Sequence, residues 1–374
     1  MTVRRAYLDH NATAPLRAEA REAMIRALDV IGNPSSVHAE GRAARALIET
    51  ARERVAALVN ARPADVVFTS GATEANNAVL AAGWDVVALC GIEHDSVRAP
   101  AARHAGKVRM IAATADGQID LADAEAAVAS QTSGRRLLAI QLVNNETGVI
   151  QPVRQIAAAA KAAGWNVLCD AVQAPGRIAI DITDLGADYL VISAHKLGGP
   201  KGAGALIVSP DAPKPSALVG GGQERSRRAG TENIAAIAGF AAAADAAARD
   251  LGRIDHVAAL RDRLEAGVRD ISADSVVIGA AAPRVANTSC IALPRVPAEV
   301  AVVRLDLMGI AASAGAACSS GKVGASATLA AMGLPEHIRR SAVRVSIGPA
   351  TIASDIDQFL TAWREIAGSS RLAA

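Results

Sequence analysis

The chain has 374 residues, 51% of them hydrophobic and 20% charged, which excludes a disordered protein and lets a large core form without disulfides. A net charge of +2 and an aromatic content of 2% give no basic surface and few stacking rings, so neither nucleic acid nor an anionic membrane is expected as a partner. The opening MTVRRAYLDHNATAPL lacks the apolar stretch of a secretory signal, and Cys90, Cys169, Cys290 and Cys318 form no CxxC pair; a cytoplasmic protein with no disulfide framework and no metal site is expected.

Seven short apolar runs follow one another, separated mostly by alanine-rich helical segments: VVFTS (66–70), VVALC (86–90), VRMIAA (108–113), LLAIQLV (137–143), NVLCD (166–170), YLVIS (189–193) and GALIVS (204–209). Continuous apolar strands alternating with helices predict an α/β fold with a mostly parallel seven-stranded sheet covered on both faces. From Pro210 to Asn233 the alternation stops, and proline, glycine and charge predict a long loop. A helical pattern follows over 234–270, broken near Gly252; the aspartate inside IAAIAGFAAAADAAARDLG marks a packed helix rather than a membrane span. NTSCIALP and AVRVSIG alternate more, as in a half-exposed sheet, and predict a second, smaller α+β domain. The expected limits are 15–257 for the large domain, and 1–14 with 258–374 for the small one.

Ligands of such sheets sit beyond the carboxyl ends of the strands, so the residues that follow each strand carry the functional signal. The first run is followed by Gly71-Ala72-Thr73 opening a helix, a cup for a phosphate; alone it is only a glycine turn. After the second comes His94, after the fourth Asn145, after the fifth Asp170 and then Gln173. After the sixth come Ser193, His195 and Lys196, one of only six lysines. A carboxylate at the end of a buried strand is costly without a partner. One ligand would use all of these groups: pyridoxal 5′-phosphate, which needs a lysine for its aldehyde, a carboxylate for its ring nitrogen and donors for its phosphate.

The segments YLDHNATAP, GNPSSVHAEGRAAR, VVFTSGATEANN, IEHDSV, NNETGVIQPV, DAVQAPGRI, ISAHKLGGPKGAGAL, GGGQERSRRAGTEN, SAGAACSSG and VRVSIG stand in an order that resembles the cysteine desulfurases of the NifS/IscS type, class V members of the aminotransferase superfamily. The resemblance covers nearly the whole chain and implies the fold type I architecture of the pyridoxal phosphate-dependent transferases. It implies Lys196 as the Schiff-base lysine, with Ser193, His195, Gly71, Ala72 and Thr73 around the phosphate. It further implies Asp170 on the pyridine nitrogen, Gln173 on the ring hydroxyl and His94 stacked on the ring as an acid–base group. Asn145 and Arg344 would hold the substrate carboxylate, and Thr231 would reach the phosphate of the other subunit of a homodimer. Arg344 also has a reading of its own: in VRVSIG it shares a strand face with Ser346, opposite Val343, Val345 and Ile347, and its fork suits a carboxylate.

Cys90, Cys169 and Cys290 lie inside strand patterns and read as small buried hydrophobes. Cys318 lies in SAGAACSSGKVG, a glycine-, alanine- and serine-rich run expected to be an accessible loop. The resemblance makes it the persulfide cysteine: sulfur from L-cysteine would pass to Cys318, L-alanine would leave, and an iron–sulfur scaffold protein would accept the sulfur. The segment GKVGASATLAAMG departs from the pattern of proline, serine and histidine common after this loop in relatives. The alternatives are a selenocysteine lyase, a transaminase using the same lysine, or a non-catalytic scaffold; only a desulfurase needs Cys318 for persulfide chemistry. Arg225, Arg227 and Arg228 read as a solvated or dimer-contact run.

Overall fold

The structure is a computed structural model that describes residues 5–103, 106–215, 218–315 and 326–372. The N-terminal arm contributes β1 (Ala6–Tyr7). The seven apolar runs then form β2 (Val66–Thr69), β3 (Val86–Cys90), β4 (Lys107–Ile111), β5 (Arg136–Gln141), β6 (Asn166–Asp170), β7 (Tyr189–Ser193) and β8 (Gly204–Val208). They join in the order β2-β8-β7-β6-β5-β3-β4, and only β8 runs against the others.

Alternate residues of these strands enter two different cores. Phe68, Ala88, Ile140, Cys169, Ile192 and Ile207 pack on one face, under helices Ala39–Leu58, Val153–Ala162 and Ile234–Asp250. Val67, Leu89, Ala139, Leu168, Val191 and Leu206 pack on the other, under helices Ala72–Leu80 and Asp95–Ala102. Both faces are dry, which is why the runs are apolar throughout rather than alternating. β4 is the exception: it lies at the edge and exposes Lys107, charge that discourages pairing with another chain.

Among its described residues, the loop expected from Pro210 holds one short helical turn, Gln223–Ser226, in which Glu224, Arg225 and Ser226 are all left-handed. The following helical stretch breaks where the glycine predicts, into Ile234–Asp250, a 3₁₀ turn Leu251–Arg253 and Ile254–Ile271.

The second sheet consists of β9 (Val276–Ile278) and β10 (Thr288–Ala292), then, beyond β11 (Ile310–Ala311), β12 (Ser313–Ala314) and β13 (Ala342–Ser346). It is antiparallel, in the order β12-β13-β10-β9. β11 instead pairs in parallel with β1, and Asp9 bridges to Ser346, so the N-terminal arm lies against this sheet. Ile291, Val343 and Val345 face a separate core with Phe359 and Trp363.

The half-exposed sheet expected from the alternation in β10 and β13 is not what forms: both strands are buried along their whole length. Their polar residues face protein instead of water. Thr288, Arg344 and Ser346 bond to Asn11, Asp9 and the carbonyl of Asn145, from the N-terminal arm and the turn after β5.

Candidate active site

The residues beyond the carboxyl ends of β2, β3, β5, β6 and β7 enclose a cavity of about 640 Å3. Gly71, Ala72, Thr73, His94, Asn145, Asp170, Gln173, Ser193, His195 and Lys196 all line it. Thr231 does not; it is exposed in the loop before helix Ile234–Asp250. Arg344 is buried and is not among the lining residues, and Cys318 lies outside the described residues.

At one end, helix Ala72–Leu80 starts at Gly71 without a capping side chain, so its leading N–H groups and positive dipole end face the cavity. β8 passes directly beneath this turn. A Cβ on Gly204 would sit 2.7 Å from Gly71 Cα, so glycine is the residue that fits. Ser193 and His195 complete this end. The His195 ring lies 3.3 Å from Thr13 Oγ1, and burial, with Lys196 and Lys201 beside it, pushes its pKa down to about 4. His195 is therefore neutral at pH 7 and has one N–H to donate.

At the other end, Asp170 closes β6 and is buried. Its Oδ2 accepts from Asn76 Nδ2 at 3.0 Å and its Oδ1 from the Val172 N–H at 3.1 Å. Nearby Glu93 is more deeply buried: Oε1 accepts from the Gln141 N–H at 3.0 Å, and Oε2 has no partner among the described residues. Burial, reinforced by the charge of Asp170, raises the Glu93 pKa well above the usual carboxylate range. Gln173 donates to the carbonyl of Asn11 and accepts from Arg177, whose pKa burial lowers to about 9.

Lys196 ends the 3₁₀ turn that continues β7, and its Nζ donates to the carbonyls of Asn11 at 2.6 Å and Ala12 at 3.1 Å. The N-terminal arm thus holds the amine on the cavity wall.

Arg344 donates to Asp9 at 2.8 Å and to the carbonyl of Asn145 at 3.1 Å, while its buried Nε has no partner among the described residues. Next to Asn145, Glu146 accepts from Ser326 Oγ at 2.6 Å, and its Oε2 leaves only 3.0 Å for a Cβ at Gly315. Glu146 thus bonds to Ser326, which follows segment 316–325 in which Cys318 lies, and stands close to the open side of Gly315, which precedes it. The other three cysteines are buried thiols: burial pushes Cys90 and Cys290 up to about 12 and Cys169 well above its ordinary value. They are poor nucleophiles.

The sequence carries no signal for the placement of Asn76, Ser96, Glu93 and Glu146. Asn76 and Ser96 are polar residues within helices, where a single chain offers no sign that a side chain turns inward. Arg225, Arg227 and Arg228 bond to Glu49, Ala64, Val66 and Glu74 of their own chain. Among the described residues, no group of three or more His, Cys, Asp or Glu could hold a metal ion, and no helix is long and apolar enough to cross a membrane.

The chain matches the class V aminotransferase family over residues 6–359. Cysteine desulfurase 2 of Trichormus variabilis is 37% identical to it, over 95% of this chain and 91% of that protein. The cysteine desulfurase IscS of Dictyoglomus turgidum is 34% identical, over 96% of this chain and 93% of its own. The solved structure of a NifS-like protein from Rickettsia africae superposes with a TM-score of 0.91 at 33% identity, covering 97% of this chain and 99% of that one. The fold type I architecture expected from the sequence is the one these NifS-like proteins have, and with likeness over nearly its full length the chain belongs to the class V aminotransferase family.

Proposed function

We propose that the chain is a cysteine desulfurase that converts L-cysteine to L-alanine and leaves the sulfur as a persulfide on Cys318, with pyridoxal 5′-phosphate as cofactor. The observation that carries this reading is one cavity lined by Lys196, Asp170, His94 and an uncapped helix start. The donor chemistry fits the cofactor: backbone and hydroxyl donors at one end suit a phosphate, and a buried carboxylate at the other suits a protonated ring nitrogen. Gly71 leaves open space within 4 Å of where a Cβ would stand, room for the phosphate to approach the backbone.

Gly71, Ala72, Thr73, Ser193 and His195 would hold the phosphate, Gln173 the ring hydroxyl, Asp170 the ring nitrogen, and Lys196 the aldehyde carbon. Bound there, the cofactor supplies an electron sink for charge released at the substrate Cα. Lys196 Nζ would take the proton from the substrate Cα and return it to Cα after the sulfur has left. Asn145 and Arg344 orient the substrate carboxylate, Arg344 already braced by Asp9. The Cys318 thiolate attacks the substrate sulfur; the new S–S bond forms as the Cβ–S bond breaks, and Cβ is later protonated to give the methyl group of alanine. A thiol acceptor then takes the outer sulfur from Cys318, an iron–sulfur scaffold protein being the acceptor this reading favours.

Thr231 is exposed in the single chain, which supports its use by a second subunit in a homodimer with shared sites. The domain limits that go with this reading are 15–257 for the cofactor-binding unit, and 1–14 with 258–374 for the unit that carries Cys318. The reducing cytoplasm is the compartment in which a persulfide cysteine and three free thiols persist.

The test is L-alanine release from L-cysteine with a reductant, in wild type and Cys318→Ala. Alanine from wild type and almost none from the variant, with cofactor absorbance intact, supports the reading. Equal rates overturn the persulfide step in favour of a lyase or transaminase, and alanine from neither protein overturns the substrate assignment.

A further inference from the structure

Asn76 sits in helix Ala72–Leu80 with none of its surface exposed. Its amide spends both hydrogens on groups of the cavity wall. Nδ2 donates to Asp170 Oδ2 at 3.0 Å and to Ser96 Oγ at 2.9 Å. Because Ser96 Oγ accepts from Asn76, its own hydrogen is free to point elsewhere, and His94 Nδ1 lies 2.8 Å away. The Ser96 backbone N–H also reaches Nδ1, at 3.1 Å, where His94 caps helix Asp95–Ala102. A backbone N–H can only donate, so this contact favours a lone pair on Nδ1 and, in the neutral ring, a proton on Nε2. The direction of the Ser96 O–H then decides whether that tautomer is held, because a hydroxyl can either donate to Nδ1 or accept from it.

We propose that Asn76 is a positioning residue that joins Asp170 and His94 into one unit through Ser96, fixing His94 as the tautomer protonated on Nε2. These two side chains come from different strand ends, β6 and the turn after β3, and Asn76 with Ser96 bridges them. Asn76 spans the gap because its amide has two hydrogens set at a fixed angle, which no carboxylate or hydroxyl offers. Asp170 orients the amide, and the Asn76 N–H takes one of the two lone pairs of Ser96 Oγ, which favours turning the Ser96 O–H to His94 Nδ1. The ring of His94 therefore presents a hydrogen-bond donor through Nε2, and a proton on Nδ1 would oppose the Ser96 N–H. The consequence for catalysis rests on the desulfurase reading above; the tautomer itself does not.

The experiment uses holoenzyme labelled with 15N-histidine, whose ring tautomers are read by long-range 1H–15N correlation at pH 8. The His94 signal is assigned by its loss in His94→Gln. The expected result is a single Nε2–H pattern in wild type and a mixture of tautomers in Asn76→Ala. Ser96→Ala, which keeps the backbone contact, shows a smaller admixture, and Ser96→Thr restores the wild-type pattern. In parallel, kcat for alanine formation falls about tenfold in Asn76→Ala while KM for L-cysteine stays within threefold, because the ring is misplaced and the carboxylate contacts are not. A single Nε2–H pattern in both Asn76→Ala and Ser96→Ala, with kcat within twofold of wild type, overturns the proposal. So does an Nδ1–H pattern in wild type. Should Asn76→Ala fail to fold, Ser96→Ala alone decides. A wild type that makes no alanine from L-cysteine but shows these tautomer shifts would overturn the substrate reading and leave the role of Asn76 standing.

Discussion

The guanidinium of Arg52 forks onto the carboxylate of Glu224 inside the protein, with Nη1–Oε2 at 2.7 Å and Nη2–Oε1 at 2.9 Å. Glu224 also accepts from the Phe68 N–H at 2.9 Å, at the strand β2 that leads to Gly71. This is the anchor of the loop that carries Thr231. Glu224, Arg225 and Ser226 are three successive left-handed residues without a glycine, each costing on the order of 1–3 kcal/mol. They persist because the buried pair and the β2 contact hold the turn. Glu224→Ala would strip buried Arg52 of its forked partner and leave it the long contact to half-exposed Glu49 (Nε–Oε1 3.3 Å) and the Val66 carbonyl, and is expected to destabilise the protein by about 3 kcal/mol. Glu224→Gln keeps the Phe68 contact and costs less. Urea unfolding midpoints of the three proteins check this; a loss under 1 kcal/mol in Glu224→Ala means the loop is held by something else.

The strands of the large sheet were legible because each is buried on both faces, and a run such as YLVIS has no other stable home. The small sheet departs from the half-exposed expectation for a related reason. Alternation in AVRVSIG separates an apolar from a polar face, but it does not say whether the polar face meets water or a second layer of polar protein. Residues at strand ends, such as Asp170 and Lys196, line one cavity because topology alone gathers strand ends on one rim. The roles of Asn76, Ser96 and Glu146 are not legible in this way, because they depend on which partner a helix or turn is packed against, and that is set by tertiary contacts far along the chain.

Acid sensitivity follows from His10. Its ring is buried against Gly348 and Tyr7, and burial, with Arg177 and Arg17 nearby and against the pull of Asp9, lowers its pKa from 6.5 to about 4. The unfolded chain then binds more protons than the folded one between those two values. Stability from this group is complete above pH 6.5 and is lost as pH falls toward 4. The expected loss between pH 6.5 and 4.5 is on the order of 2 kcal/mol. His195 adds a loss of the same sign. Denaturant midpoints across this range should fall in wild type and fall less in His10→Gln; equal slopes would show that His10 is not the source.

Gly368 offers a gain. It is exposed inside helix Ala353–Leu372, and a Cβ there would meet nothing within 4 Å. Gly368→Ala removes the entropy a glycine costs in a helix and adds no clash, so stability should rise by about 0.5–1 kcal/mol. A destabilised variant in the same unfolding assay would mean that this face of the helix is covered in solution. Alanine release should match wild type.

Gly204 connects the fold to cofactor retention. β8 is the one reversed strand of the large sheet, and Gly204 pairs with both Thr69 of β2 and Ser193 of β7. It therefore lies between the turn that opens helix Ala72–Leu80 and the strand end that leads to Lys196. A Cβ at this position would stand 2.7 Å from Gly71 Cα, 2.9 Å from Gly71 C and 3.0 Å from the Ile192 carbonyl oxygen. All three are backbone atoms, so no side chain can swing aside to make room. The sheet interior is too well packed to absorb the displacement, and the Ser70–Gly71 turn, which faces the open cavity, is the part able to move. Gly204→Ala should therefore tilt the leading N–H groups of the helix away from the phosphate position while leaving most of the core intact. The expected outcome is a folded protein that binds pyridoxal 5′-phosphate at least tenfold more weakly, read as loss of visible absorbance on dialysis and its recovery with added cofactor. Adding cofactor should restore much of the activity, because Lys196, Asp170 and His94 are untouched. A variant that keeps its cofactor through dialysis as wild type does would show that the helix start contributes little to holding the phosphate, and would shift that role to Ser193 and His195.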